Sequence, residues 1–237
     1  MTQKHKMISC AFNKKRRKNI LNIILNLIYP QICSICGKIN VKSICDECDI
    51  KLNKDFINKT DNYSKDISKY FFEHNYFFKY KGIIREQILT LKFQERAYNC
   101  QTIVSFLENR QKCLEKFKKY DIILIVPVSK RRKMERGYDQ SEILAKKISQ
   151  LLNIKIEKNI IQKNVDTKPQ STLNKTQRKE NVKKVYKVKN TEILKNKRIL
   201  IFDDIYTTGS TVNECARLLI KSGIERSNIG VLTIAKD

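Results

Sequence analysis

Residues 199–220 limit the fold more than any other stretch of this chain. Ile199, Leu200, Ile201 and Phe202 form a short β-branched and aromatic run behind the charged Lys197 and Arg198, which suits a strand buried on both faces of a parallel sheet. Asp203 and Asp204 stand at its carboxyl end. After Ile205 and Tyr206 come five small residues, Thr207, Thr208, Gly209, Ser210 and Thr211. They lead into a segment whose apolar positions 212, 215, 216, 219 and 220 share one helical face. A strand, a tight turn and a helix are therefore predicted in succession, which is the unit of an α/β domain.

Such a succession aims main-chain N–H groups and the positive end of a helix dipole at the space above the turn, and this favours a phosphate. Gly209 permits a positive φ and a close approach of backbone to ligand, while the Thr and Ser hydroxyls add donors. Asp203 and Asp204 would repel that phosphate; they suit the hydroxyls of an attached sugar, or a Mg²⁺ shared with it. A helix merely capped by Ser210 or Thr211 would also follow a strand, but it has no need of an acidic pair beside a hydroxyl-rich glycine turn.

At 237 residues the chain has room for one α/β domain and a smaller module. Lys and Arg number 49 against 24 Asp and Glu, for a net charge of +25. A codon bias that raises lysine would raise glutamate as well, so the imbalance points to an acidic partner: a polyphosphate ligand, nucleic acid, or an acidic membrane surface. Basic runs fall at residues 14–18 and 130–133, and again at Lys183, Lys184, Lys187 and Lys189, where Tyr186 could offer a stacking surface to a single strand.

Residues 20–28 are apolar apart from Asn22 and Asn26, which are four apart and so share one face of an amphipathic helix. The segment is shorter than the roughly 20 residues that span a bilayer, and no small-residue cleavage site follows it. Packing on the neighbouring module and a cytoplasmic location are expected. Four of the eight cysteines, Cys33, Cys36, Cys45 and Cys48, form two CxxC pairs across an eight-residue spacer. Four soft sulfur donors in that spacing indicate a structural Zn²⁺, with Gly37 suiting the turn of the first knuckle. An iron–sulfur centre uses the same ligands. Cys10, Cys100, Cys113 and Cys215 lack ligand spacing and read as reduced thiols. His5 and His74 have no partner in the sequence.

Residues 53–70 are polar and rich in Asn, Asp and Ser, and read as a linker. Residues 75–80 have strand composition, and helices are expected over 83–93 and 97–107. A second buried strand, 121–128, ends near Pro127. It runs into the basic loop 129–140 and a helix over 141–152. Since ligands in open α/β sheets collect beyond the carboxyl ends of the strands, this loop and the 203–211 turn would share one edge. Residues 163–181 are polar and read as an ordinary surface connection or, on the resemblance given below, as a lid over a bound substrate.

Asp-Asp-Ile-Tyr-Thr-Thr-Gly-Ser-Thr at 203–211 resembles the phosphoribosyl-pyrophosphate-binding signature of type I phosphoribosyltransferases. The paired CxxC motifs, then Tyr80-Lys81-Gly82, Lys92-Phe93, Val126-Pro127-Val128-Ser129, Arg136-Gly137-Tyr138-Asp139-Gln140, Gln170, Arg178 and Asn181 together resemble the ComF/ComFC family, phosphoribosyltransferase-like proteins linked to natural transformation. The likeness runs from residue 32 to 235. It implies a parallel, Rossmann-like sheet flanked by helices with a small N-terminal zinc-ribbon-like module. The division would be 1–29 as a basic segment and amphipathic helix, 30–52 as the four-cysteine zinc-knuckle module, 53–74 as a connection, and 75–237 as the phosphoribosyltransferase-like domain.

The same resemblance implies that Thr207, Thr208, Gly209, Ser210 and Thr211 hold a 5′-phosphate, that Asp203 and Asp204 hold the ribose hydroxyls, and that Ser129, Lys130, Arg131 and Arg136 approach the pyrophosphate with Mg²⁺. Gln170 and Arg178 match the family pattern in the lid, and Asp203, Asp204 and Arg178 are the candidates for catalysis. Phosphoribosyl pyrophosphate, single-stranded DNA and competence DNA-translocation proteins are the implied partners. One departure stands out, because relatives usually carry Arg-Gly-Phe-Asn-Gln where this chain has Asp139 and an added negative charge. Two functions remain open: transfer of phosphoribose to a base or amine, and DNA handling with a regulatory or relic sugar-phosphate site.

Overall fold

A computed structural model describes residues 31–39, 41, 43–93, 99–128, 140–163 and 185–237. After the cysteine pairs come helix α1 (Asp46–Asn53), strands β1 (Phe56–Asn62) and β2 (Glu73–Lys79), helices α2 (Gly82–Phe93) and α3 (Asn99–Glu108), and strand β3 (Ile122–Ile125). Helix α4 (Gln140–Leu152) leads to β4 (Lys155–Glu157), and a two-stranded ribbon of β5 (Ile161–Lys163) and β6 (Tyr186–Val188) follows. Strand β7 (Ile199–Tyr206), helix α5 (Ser210–Lys221) and strand β8 (Ile229–Lys236) complete the fold.

Six strands form one sheet in the order β1-β2-β8-β7-β3-β4. All neighbours run parallel except the edge pair β1 and β2. The central strands supply both faces, as their unbroken apolar runs require. Leu200, Phe202, Ile123, Leu232 and Ile234 join a core beneath α2, α3 and α4. Their neighbours Ile199, Ile201, Ile122, Leu124, Ile229 and Val231 join a second core with Val212, Cys215, Ala216 and Leu219 of α5. The expected α/β sheet flanked by helices is present.

The linker expected over 53–74 is not what the structure shows. Residues 56–62 pair antiparallel with β2 as an edge strand, and β2 begins two residues before position 75. Phe56 is the reason, since its ring packs edge-on against Phe78 and Phe106 with centroids at 5.5 and 5.3 Å. One aromatic anchor outweighs a polar strand whose exposed side faces water. The cysteine module is joined to the same region. Leu52 of α1 is fully buried in the main core, and Arg110 donates to both carboxylate oxygens of Asp49 at 3.1 and 2.6 Å while stacking 3.5 Å over the Phe106 ring.

Candidate functional site

Strand β7 extends four residues further than its apolar run, and this extension builds the site. Its pairing with β3 stops at Ile125 and Phe202, whereas pairing with β8 continues through Asp203↔Thr233, Ile205↔Ala235 and Tyr206↔Lys236. The acidic pair therefore projects beyond β3 while still held by β8. Its main chain is kept taut by its own carboxylates, as Asp203 Oδ1 accepts from the Asp204 N–H at 2.9 Å and Asp204 Oδ1 from the Ile205 N–H at 2.8 Å.

Beyond the strand, Asp203, Ile205, Tyr206, Thr207, Thr208, Gly209, Ser210, Thr211 and Val212 line one cleft. Asp204 is not among its lining residues. Gly209 is the N-cap of α5 at φ +70° and ψ 5°, and a Cβ there would overlap the Tyr206 ring. Conformation and space both demand glycine. The Thr208 and Ser210 hydroxyls lie 2.9 Å apart and the Ser210 N–H donates to Thr208 Oγ1 at 3.3 Å, so the hydroxyl-rich turn is ordered on itself at the opening of a twelve-residue helix. The turn and the first residues of α5 line the cleft, so the positive end of the helix dipole lies at it, an arrangement that suits a phosphate ester.

His74, without an evident partner in the sequence, is part of the support under this turn. It is fully buried, stacks on Tyr206 with centroids 4.1 Å apart, and shares a 2.8 Å hydrogen bond with Thr233 through Nε2. Burial, with Lys236 adding to it, pulls its pKa down to about 3. The unfolded chain takes up a proton near pH 6.5 that the folded chain refuses, so stability from this residue is complete above pH 6.5 and is lost as pH falls towards 3. Unfolding free energies from urea titrations should fall with acid by about 1.4 kcal/mol per pH unit in that window from His74 alone. His74→Phe should flatten this slope; an identical slope in the variant would contradict the assignment.

The four expected metal ligands come together. The Sγ atoms of Cys33, Cys36, Cys45 and Cys48 lie within 4.8 Å of one another, and none is in a disulfide. The Cys36 and Cys45 sulfurs are 3.7 Å apart, close to the roughly 3.8 Å edge of a tetrahedron with metal–sulfur bonds of about 2.3 Å. The first knuckle closes with the Gly37 N–H on the Cys33 carbonyl at 2.8 Å and Gly37 at φ +77°. The second straddles the start of α1, with Cys45 as its N-cap. Burial pushes the Cys33 thiol up, but main-chain N–H groups of Cys36, Cys45 and Ile35 outweigh it and bring the pKa down to about 6. The Cys48 thiol is pushed up, first by its burial. The cluster can hold one metal ion. Cys100, Cys113 and Cys215 are buried thiols apart from it.

Ser129, Lys130, Arg131, Arg136, Gln170 and Arg178 lie outside the described residues, as do the amphipathic segment 20–28 and the basic run 14–18. Parallel pairing of β3 with β7, continued by the Val126 N–H on the Phe202 carbonyl at 3.0 Å, does bring Val126 to the sheet edge that carries the turn. Among the described residues no helix is long and apolar enough to cross a membrane. Tyr206 lines the cleft and was missed as a candidate site residue. Tyr206 carried a signal, an aromatic inside a turn of small residues.

The mostly parallel sheet carries this turn beyond its carboxyl edge, and the model of the phosphoribosyl transferase domain matches residues 138–237. The chain is a homologue of the ComF and ComFC competence proteins and of YhgH. Competence protein F of Haemophilus influenzae is 30% identical over 149 residues, covering 60% of this chain and 64% of that protein. DNA utilization protein YhgH of Escherichia coli K12 is 33% identical over 103 residues, 44% of each chain. Competence protein ComFC of Bacillus subtilis is 26% identical over 209 residues, 84% of this chain and 75% of the relative. The match thus spans less than two thirds of the length of Competence protein F and YhgH.

Proposed function

We propose that this chain binds phosphoribosyl pyrophosphate with Mg²⁺ and acts in natural competence by handling single-stranded DNA. The observation that carries the ligand is the 207–211 turn: a left-handed glycine, ordered hydroxyls and a helix start, set beside Asp203 at the carboxyl end of β7. In this reading Thr207, Thr208, Gly209, Ser210 and Thr211 hold the 5′-phosphate, and Asp203 and Asp204 hold the ribose hydroxyls. Bound Mg²⁺ supplies charge neutralisation at the pyrophosphate, which Ser129, Lys130, Arg131 and Arg136 would contact. Gln170 and Arg178 would close over the ligand. Zn²⁺ fits the all-sulfur, four-ligand cluster, where no coordination position is left for catalysis.

The DNA role draws on the relatives, two of them named competence proteins and one a DNA utilization protein, and on the net charge of +25. Transfer of phosphoribose to a base or amine uses the same site, and one pair of assays separates the two. Affinity for a single-stranded oligonucleotide should fall by about 100-fold or more between about 50 and 200 mM salt, as phosphate neutralisation by many cations requires. Pyrophosphate release, measured with phosphoribosyl pyrophosphate across nucleobases and amines, should stay at the hydrolytic background. A defined acceptor that raises release would establish the transferase instead, and salt-independent or absent DNA binding would overturn the DNA role.

A further inference from the structure

The loop between β1 and β2 is far more organised than a hairpin connection needs to be. A single guanidinium gathers its main chain. Arg226 donates to the carbonyls of Tyr63, Ser64, Asp66 and Phe71, at 2.7 Å for Asp66, 3.4 Å for Ser64 and 3.5 Å for Phe71. The Asp66 carboxylate accepts from both the N–H and the hydroxyl of Ser68 at 2.9 and 2.7 Å, and Phe71 is fully buried in the core under α5. So many fixed carbonyls around one planar donor define a rigid shape.

That shape is fastened to the phosphate turn on both of its sides. Before the turn, Lys69 Nζ donates to Tyr206 Oη at 3.2 Å, and its ammonium lies 5.6 Å from the Tyr63 ring centre and 5.9 Å from that of Tyr206. After the turn, Asn213 in the first turn of α5 accepts from the Tyr70 N–H at 2.8 Å and donates to the Ser68 carbonyl at 3.0 Å. Tyr206 in its turn lies against Gly209 and stacks on His74. Moving the loop therefore moves the ring that supports the glycine and the helix whose N-terminus faces the ligand.

We propose that the 63–72 loop is a brace for the phosphate turn, in which Arg226, Lys69 and Asn213 are positioning residues that set affinity for a phosphate ester without touching it. The inference rests on the phosphate-site reading above and adds to it three residues that the likeness to relatives did not single out. A brace confined to one side of the cleft should act on the 5′-phosphate and not on the pyrophosphate, since the latter is assigned to the 129–140 segment.

Calorimetric titration of the full chain with ribose 5-phosphate and, separately, with inorganic pyrophosphate and Mg²⁺ tests this. Lys69→Met, Asn213→Ala and Arg226→Ala should each weaken ribose 5-phosphate by about tenfold and leave pyrophosphate within about twofold. Arg226→Lys, which cannot span the same carbonyls, should resemble Arg226→Ala. If either Arg226 variant fails to fold, Lys69→Met, half-buried at the loop surface, carries the test alone. Unchanged ribose 5-phosphate affinity, or equal weakening of both ligands, would overturn the brace while leaving the phosphate site standing. A wild-type chain that binds neither ligand would overturn the phosphate-site reading itself, and the brace with it.

Discussion

Valine in place of Gly209 is expected to abolish binding of phosphoribosyl pyrophosphate, lowering affinity by at least about 100-fold. Two costs fall on the same atom. The native φ of +70° is a region that a β-branched residue enters at a cost of about 1–2 kcal/mol or more. A Cβ would also occupy the space of the Tyr206 ring, which is itself buried and stacked on His74. Tyr206 must swing out or the turn must open, and either change carries the main-chain donors away from the phosphate position. Gly209→Ala meets the same overlap with less bulk and should lose less. Circular dichroism should show the α/β signal retained in both, and thermal shift with ligand reads the binding. Wild-type stabilisation by ligand in the valine variant would mean that the turn does not hold the phosphate.

Metal removal should have the second large effect, and on stability. Structural zinc contributes roughly 10–16 kcal/mol to small metal-dependent folds, as much as the whole stability of an ordinary domain. Here the second knuckle starts α1, whose Leu52 sits fully buried in the main core, and Asp49 of that helix is bound by Arg110. Unravelling the knuckles would therefore strip one layer from the α2 and α3 side of the sheet. Cys45→Ser, or extraction with a strong chelator, should lower the melting temperature by about 10 °C or more, since a loss of a few kcal/mol shifts a chain of this size by that much. Elemental analysis should find about one zinc per chain. A metal-free chain with unchanged melting, or a chain containing iron in place of zinc, would contradict the assignment.

Sequence carried the centre of the molecule and lost its edge. Strands β3 and β7 were legible because burial on both faces leaves no polar alternation to confuse them, and both appear where their apolar runs lie. The turn at 207–211 was legible through residue types that few other structures need together. The carboxyl half of β7 was not, because Asp203 and Asp204 look like loop residues until β8 is seen to pair beside them. Strand β1 was missed for a related reason. Its Lys59, Thr60 and Asn62 are exposed, the Thr60 hydroxyl donates to Asn75 at 2.7 Å, and only the adjacent Phe56 and Ile57 announce an apolar contact. His74 and Arg226 were opaque because their roles depend on residues far away in the chain, Tyr206 for one and the carbonyls of 63–71 for the other. Non-local pairing of this kind leaves no periodic trace.

The most direct test of the account is a calorimetric titration of the full chain with phosphoribosyl pyrophosphate in Mg²⁺, repeated on the Asp203→Asn, Asp204→Asn double variant. The predicted result is one saturable site in the wild type and none detectable in the variant, with the oligonucleotide affinity of the two proteins alike. Equal binding by both proteins, or no binding by the wild type, would contradict the claim that residues 203–211 form a phosphoribosyl-pyrophosphate site.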